Sequence, residues 1–389
     1  MRKIAIITAR FAQFISGGAE KLAWDYAKIL SLQYDISVFT TTAESYITWK
    51  NHFREGSIRE NGFLIHRFPV SKDRNMKRMN RILSKSLVNI QNNDIKLESQ
   101  FLNEQGPFCP TLVEDLIKKQ REYDLIIAIG YLYFPIVKIL EQIESKVLVV
   151  PCLHPEPVLN LNIFGKALSS KFFYAFNAPE EEELYWSRFK KIPRKSAIIG
   201  TYVPIPNSKK TKILSSRKVA ISIGRLDPSK GYSLLFEYWN NFKQSFEGEK
   251  WDLVILGSGD SSIYNTDQVR FLGFVSEEIK IDWLNKADVL INPSPYESFS
   301  ISVMEAWANG CPVLVNASSA VTSGHCLRSS GGFAFLDTFD FTGFLNLISQ
   351  NPNLSEKLGK NGFDYVQKNF KEEIVTNKLL NYIEELINC

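Results

Sequence analysis

The sequence predicts an α/β protein built as two doubly wound domains. Three observations predict this. Short apolar runs alternate with helix-period stretches in the first half. A second series of the same kind occupies the second half. Between them "GTYVPIPNSKKTKILSSRK" is rich in Pro, Ser and Lys and lacks periodicity, so it reads as a linker. The 389 residues also exceed what one core usually holds, and about two domains are expected.

In chain order, "KIAIIT", "ISVFTT", "FLIHRF", "YDLIIAIG" and "KVLVVPCLH" read as strands. "AEKLAWDYAKIL" reads as a helix with Leu22, Ala23, Tyr26, Ala27 and Leu30 on one face. Residues 71–105 interrupt the pattern with polar, basic, helix-like sequence, an expected insertion at the active-site edge. After the linker, "KVAISIG", "WDLVILGSG", "VRFLGFV", "ADVLINPS", "CPVLV" and "GGFAFL" are predicted strands, with helices to the C-terminus. The expected domains are 1–200 and 206–370, with a helix over 371–389 returning to the first. Two such domains joined by a hinge are expected to face each other across a cleft between their strand ends, where ligands of this architecture bind.

Composition narrows the class. An apolar share of 44% with 23% charged residues describes a soluble globular protein. No stretch approaches the ~20 apolar residues of a membrane span, and the apolar run in "MRKIAIITARF" is too short for a signal peptide. A cytoplasmic protein is expected. Cys109, Cys152, Cys311, Cys326 and Cys389 show no C-x-x-C spacing, so buried free thiols are expected rather than a zinc site or disulfides. The net charge of +4 is too small to argue for nucleic acid. Basic residues concentrate locally in "SKDRNMKRMNRILSK" and "WSRFKKIPRK". Either cluster is a peripheral contact with an anionic membrane, a contact with an anionic acceptor, or a solvated face.

The most informative stretch is "PYESFSISVMEAWANGCPVLV", residues 295–315. A strand ends at Asn292-Pro293, Ser298 or Ser300 caps a helix with Ile301, Met304, Trp307 and Ala308 at helical spacing, and Asn309-Gly310 stops it. In a parallel α/β unit that helix begins at the carboxyl edge of the sheet, where amides and dipole favour an anion such as phosphate. Glu305 lies about a turn inside. Its carboxylate is placed to accept from sugar hydroxyls or, alternatively, to pair with a basic neighbour; Glu297 is then a ligand contact or a solvated group.

Other edges carry related signals. "ISIGRLDPSKGY" ends a strand at Gly224 and turns between Arg225 and Lys230, cations suited to a diphosphate. In "LGSGD", Gly257 and Gly259 follow a strand where backbone can approach a base or phosphate, or simply turn. Gly17-Gly18 lies between the first strand and first helix, and glycines there permit positive φ. His154 follows a strand among prolines in "VVPCLHPEP".

Together these residues, in this order and spacing, resemble the GT-B-fold retaining glycosyltransferases of the sucrose-synthase-like and mannosyltransferase-like group, glycosyltransferase family four. The likeness covers nearly the whole chain. Glu297 and Glu305, with seven residues between them, match the family's E-x7-E motif, and "LGKNGFDYVQKNF" matches its closing helices. The resemblance implies two Rossmann-like domains, acceptor-binding first and donor-binding second. It implies that Glu305 holds the nucleotide ribose and that Glu297 lies by the donor sugar. The amides around Ser298, Phe299 and Ser300 then contact the donor, Arg225 and Lys230 hold the diphosphate, and His154 approaches the sugar. No D-x-D pair occurs to hold a divalent ion, and no cofactor or metal is expected. Three departures stand out: Ser298 and Ser300 replace frequent glycines, Pro155 replaces a common Asp after His154, and the junction lacks the usual Asn-Gly-Val-Asp type signal.

The implied function is transfer of a sugar from a UDP- or GDP-linked donor to a glycan or lipid-linked glycan, as in surface polysaccharide synthesis. Two other readings use the same architecture: a nucleotide-sugar epimerase or hydrolase, which acts on donor alone, and a non-catalytic sugar-nucleotide-binding subunit, which binds without turnover.

Overall fold

A computed structural model describes residues 2–15, 17–88, 90–92, 94–206, 217–263 and 269–389. Residues 207–216 of the predicted linker lie outside the described residues. The chain packs as two units, one of residues 1–201 with 376–389 and one of residues 202–375.

The first unit has strands β1 (Lys3–Ile7), β2 (Asp35–Thr41), β3 (Gly56–Glu60), β4 (Phe63–Phe68), β5 (Leu125–Ile129), β6 (Val147–Val150), β7 (Phe173–Phe176) and β8 (Lys195–Ile198). Their order is β3-β4-β2-β1-β5-β6-β7-β8, and every pair is parallel except the β3–β4 hairpin. Strands β5 and β6 are buried along their whole length, so their sequences run apolar without alternation, as a sheet covered on both faces requires. Five strands match the sequence reading. β3 was missed because "GSIRE" is exposed at every position, and β7 and β8 because four residues carry too little period.

The helices of this unit are α1 (Gly18–Leu30), α2 (Met76–Val88), α3 (Ile95–Gln105), α4 (Pro110–Lys119), α5 (Phe134–Gln142), α6 (Asn162–Ala167) and α7 (Pro179–Phe189). The basic insertion is thus α2 and α3, anchored by Met79, Ile82, Phe101 and Leu102 in the core. The strand order reverses at β1, with β2 on one side and β5 on the other. Ligands of doubly wound sheets bind beyond such a point.

The second unit has β9 (Lys218–Ile223), β10 (Trp251–Leu256), β11 (Val269–Gly273), β12 (Val289–Asn292), β13 (Val313–Asn316) and β14 (Gly332–Phe335), all parallel in the order β11-β10-β9-β12-β13-β14. All six were legible in sequence. Its helices are α8 (Tyr232–Lys243), α9 (Glu277–Lys286), α10 (Ile301–Ala308), α11 (Ala320–Ser329), α12 (Thr338–Gln350) and α13 (Pro352–Asn369). The last helix, α14 (Glu372–Asn388), belongs mostly to the first unit, where Tyr382 Oη donates to the carbonyl of Tyr174 at 3.1 Å.

No described helix is long and apolar enough to cross a membrane. The cysteines are free, but only Cys109, Cys311 and Cys326 are buried; Cys152 is half-buried and Cys389 exposed.

Candidate active site

The E-x7-E segment is organised by one residue with an unusual backbone. Ser300 precedes α10 with φ +69° and ψ +79°, the left-handed region that glycine favours. It stands at the N-cap position yet its side chain caps no helix amide. The hydroxyl instead faces the end of β12, where Asn292 Nδ2 donates to Ser300 Oγ at 2.7 Å. A serine in place of the frequent glycine therefore keeps the glycine-type turn, held by a side-chain bond. We expect Ser300→Gly to change stability by less than about 0.5 kcal/mol, because relief of the turn offsets the lost bond. Ser300→Val should cost about 2 kcal/mol or more. Denaturant unfolding compares them; equal stability of the two variants would show that the turn is no constraint.

Both glutamates are paired with lysines. Lys230 Nζ lies 2.8 Å from Glu297 Oε1, and Lys280 Nζ lies 2.7 Å from Glu305 Oε1. Glu297 is therefore not merely solvated. The alternative in which Glu305 meets a basic neighbour is realised by Lys280, which sequence reading did not single out. Lys280 also reaches Glu277 at 2.9 Å and is mostly buried. Burial works against its charge, yet Glu305 and Glu277 together raise its pKa above the ordinary lysine value. A signal existed: Lys280 lies one helical turn before the buried Leu284, on the inward side of α9. A charge on an inward face requires a partner.

Glycines bring the first pair together. Gly231 has φ +76°, and a Cβ there would lie 2.1 Å from the carbonyl oxygen of Pro293. The short 3-10 turn Pro228–Lys230 is thereby pressed against the loop that carries Glu297. Beyond β9 and β10 the two edge loops run side by side, with Gly224 N–H donating to Leu256 O at 2.9 Å and Leu226 N–H to Ser258 O at 2.8 Å. A Cβ on Gly257 would meet the Gly224 carbonyl oxygen at 1.8 Å, so only glycine fits. Arg225 sits between them, half-buried. Phe299 is buried edge-on against His325 and Phe370, with ring centroids at 5.6 and 5.0 Å, while Ser298 is half-buried.

The other candidates lie in the first unit. Gly17 caps α1 at φ +152°, and a Cβ on Gly18 would meet nothing within 4 Å, which leaves that backbone open to a ligand. His154 is half-buried with Nδ1 3.4 Å from Glu156 Oε1, the oxygen that also accepts from Tyr131 Oη at 2.6 Å. The loop carrying His154 is fixed by Glu181, fully buried in the first turn of α7. Its carboxylate accepts from Leu153 N–H at 2.7 Å and Asn177 N–H at 2.6 Å. Burial pushes the Glu181 carboxyl up to about 8 against the pull of these amides.

The basic clusters are not simply solvated faces. In "WSRFKKIPRK", Arg188 donates to the carbonyls of Leu159 and Asn160, Lys191 to that of Gly165, Arg194 lies over Phe173, and Lys195 pairs with Glu385. In the other cluster Lys72 and Arg78 share Glu104, and Arg74 is drawn inward.

Residues 205–363 match the family described as "Glycosyl transferases group 1". Over 97 residues the chain is 37% identical to the D-inositol 3-phosphate glycosyltransferase of Streptomyces coelicolor, a stretch covering 24% of this chain and 21% of that one. The matched stretch spans about a quarter of the length of such curated relatives. In three dimensions the chain superposes on the sucrose-phosphate synthase of Thermosynechococcus elongatus with TM-score 0.74 at 17% identity, all of both chains being covered. It superposes on Anabaena HepE, solved in complex with UDP-glucose, with TM-score 0.70 at 15% identity, covering 99% of this chain and 100% of that one. The chain thus has the GT-B fold, and its residues 205–363 are a glycosyl transferases group 1 domain.

Proposed function

We propose that the protein is a retaining glycosyltransferase that moves a sugar from a UDP- or GDP-linked donor to a glycan or lipid-linked glycan in surface polysaccharide assembly. The observation that carries this reading is the paired arrangement at the head of α10, Glu297 with Lys230 and Glu305 with Lys280. A nucleotide with its ribose on Glu305 would set its diphosphate toward Lys230 and Arg225. The glycine-lined backbone of Gly224 and Gly257 would lie by the nucleotide, and the amides of Ser298, Phe299 and Ser300 by the donor's anionic and sugar groups.

The chemistry asks for these groups. The bond between the sugar's anomeric carbon and the phosphate oxygen breaks, and one to the acceptor hydroxyl oxygen forms on the same face. The hydroxyl proton passes to the leaving diphosphate. Negative charge grows on that diphosphate, so fixed donors and cations lower the barrier. Lys230 and Arg225 supply them without a metal cofactor. Lys230 is bound to Glu297 beforehand, and its flexible stem and three donors allow it to bridge carboxylate and phosphate. In this reading the first unit, with His154 and the open backbone at Gly18, is the acceptor-binding one. Family membership of the second unit and the neighbour solved with UDP-glucose support a nucleotide-sugar donor.

Calorimetric titration with UDP, GDP, ADP and TDP, first in EDTA and then with magnesium, tests the reading. One nucleotide is expected to bind clearly best in EDTA. Binding that requires magnesium would remove the metal-independent mechanism. No binding in either buffer would favour the subunit that needs a partner.

A further inference from the structure

Lys280 stands near the start of α9, which follows β11, and Glu305 lies in α10, which follows β12. Both connections run the same way along the sheet, from β11 towards β12 and from β12 to β13, so right-handed crossovers put the two helices on one face. Both begin at its carboxyl edge, and there the pair forms. Lys280 Nζ lies 2.7 Å from Glu305 Oε1, with the side chains only 14% and 12% exposed. The same ammonium lies 2.9 Å from Glu277, whose side chain is 77% exposed. A sheltered cation thus ties a sheltered carboxylate to one at the rim.

This arrangement differs from the other lysine pair. Among the described residues Lys230 meets the single carboxylate of Glu297, whereas Lys280 serves two. One ammonium shared by two carboxylates does not attract a phosphate. It suits neutral groups that donate, and the adjacent hydroxyls of a ribose are such groups.

Packing does not explain the lysine. Leu284, one turn further along the same inward side of α9, is buried, and an apolar side chain at position 280 would continue that face. A sheltered ion pair gives little net stability over such packing. What it adds is direction, because it ties the carboxylate to one point.

Resting on the glycosyltransferase reading, we infer that Lys280 is a positioning residue: braced on Glu277, it aims the Glu305 carboxylate at the 2′ and 3′ hydroxyls of the nucleotide and so makes the site select ribonucleotide over deoxyribonucleotide donors. It acts through Glu305 and does not touch the reacting atoms. A carboxylate that accepts from both hydroxyls loses one charged hydrogen bond when the 2′ hydroxyl is missing, which is worth about tenfold or more in affinity. A thymidine diphosphate sugar is then disfavoured through its deoxyribose, whatever its base contacts.

Calorimetry of the full-length protein with UDP, GDP and their 2′-deoxy analogues tests this on the wild type, Lys280→Met, Glu305→Gln and the double variant. The wild type should prefer the better ribonucleotide over its deoxy analogue by about tenfold or more. Lys280→Met keeps the stem and drops the charge, and should lower that ratio by about threefold or more. The double variant should show the same ratio as Glu305→Gln, because the lysine acts through the glutamate. A merely structural ion pair would weaken both nucleotides alike, so a wild-type ratio in Lys280→Met overturns the inference and leaves the donor reading standing. A further fall in the ratio when Lys280→Met is added to Glu305→Gln overturns it too. Lys280→Gln carries the test if Lys280→Met does not fold. A wild type that binds no nucleotide sinks the donor reading and the inference together; one that binds without preferring ribose removes the ribose from Glu305, and the inference with it.

Discussion

Lys230→Ala is expected to weaken binding of the preferred nucleoside diphosphate by about 10- to 100-fold, the value of one or two charged hydrogen bonds. The nucleoside monophosphate should lose much less, because its single phosphate would lie nearer the ribose that the proposed function places on Glu305. The effect is electrostatic and local. Lys230 ends a 3-10 turn whose backbone is set by Asp227, which accepts from Ser229 N–H at 2.9 Å, and by Gly231 against Pro293. Truncating the side chain leaves those contacts in place, so the fold should survive. It also leaves Glu297 without its partner at 2.8 Å, and a carboxylate beside an incoming diphosphate repels it. Both changes act in the same direction. Lys230→Ala combined with Glu297→Gln should therefore recover part of the affinity. Calorimetry of the diphosphate and monophosphate on the three proteins reads all of this. Unchanged diphosphate affinity in Lys230→Ala would remove Lys230 from the site.

The second unit was legible in the sequence because its signals are local. Five of its six strands are short apolar runs ended by Gly, Pro or Asn, and helices α8 to α11 each follow such an edge. The position of Glu305 near the head of α10 follows from the same reasoning. What sequence reading did not supply was partnership. Lys280 meets Glu305 across 25 residues, and only the packing of α9 against the sheet edge makes that pair. Ser300 looked like an ordinary N-cap, and its left-handed backbone depends on Asn292 from a neighbouring strand end. The basic clusters illustrate the limit most clearly. Their charge was visible, but whether Arg188 or Arg74 faced water or its own chain's carbonyls was a matter of tertiary packing. In the first unit, β3 was illegible because an exposed edge strand paired only to β4 has no apolar face to declare itself.

Gly362→Ala should destabilise the second unit by about 2 kcal/mol or more, against the usual gain from Gly to Ala in a helix. The helix α13 approaches α10 through two glycines. A Cβ on Gly359 would lie 2.0 Å from the carbonyl oxygen of Gly310, and one on Gly362 would lie 2.0 Å from Trp307 Cδ1. Neither obstacle can yield cheaply. Trp307 is fully buried, and its Nε1–H donates to the carbonyl of Gly331 at 2.9 Å, which fixes the ring. The added methyl must push α13 outward or displace the indole and break that bond. Glu305 lies two residues before Trp307 on α10, so a displaced indole also moves the carboxylate assigned to the ribose. Nucleotide affinity should fall along with stability. Gly343→Ala in α12 is the control, since its Cβ would meet nothing within 4 Å. It should leave nucleotide affinity unchanged and raise stability by up to about 1 kcal/mol. Denaturant unfolding of both variants, followed by nucleotide titration, decides the matter. A Gly362→Ala protein as stable as Gly343→Ala would mean that α13 does not press on Trp307, and that the closing helices do not hold α10 in place.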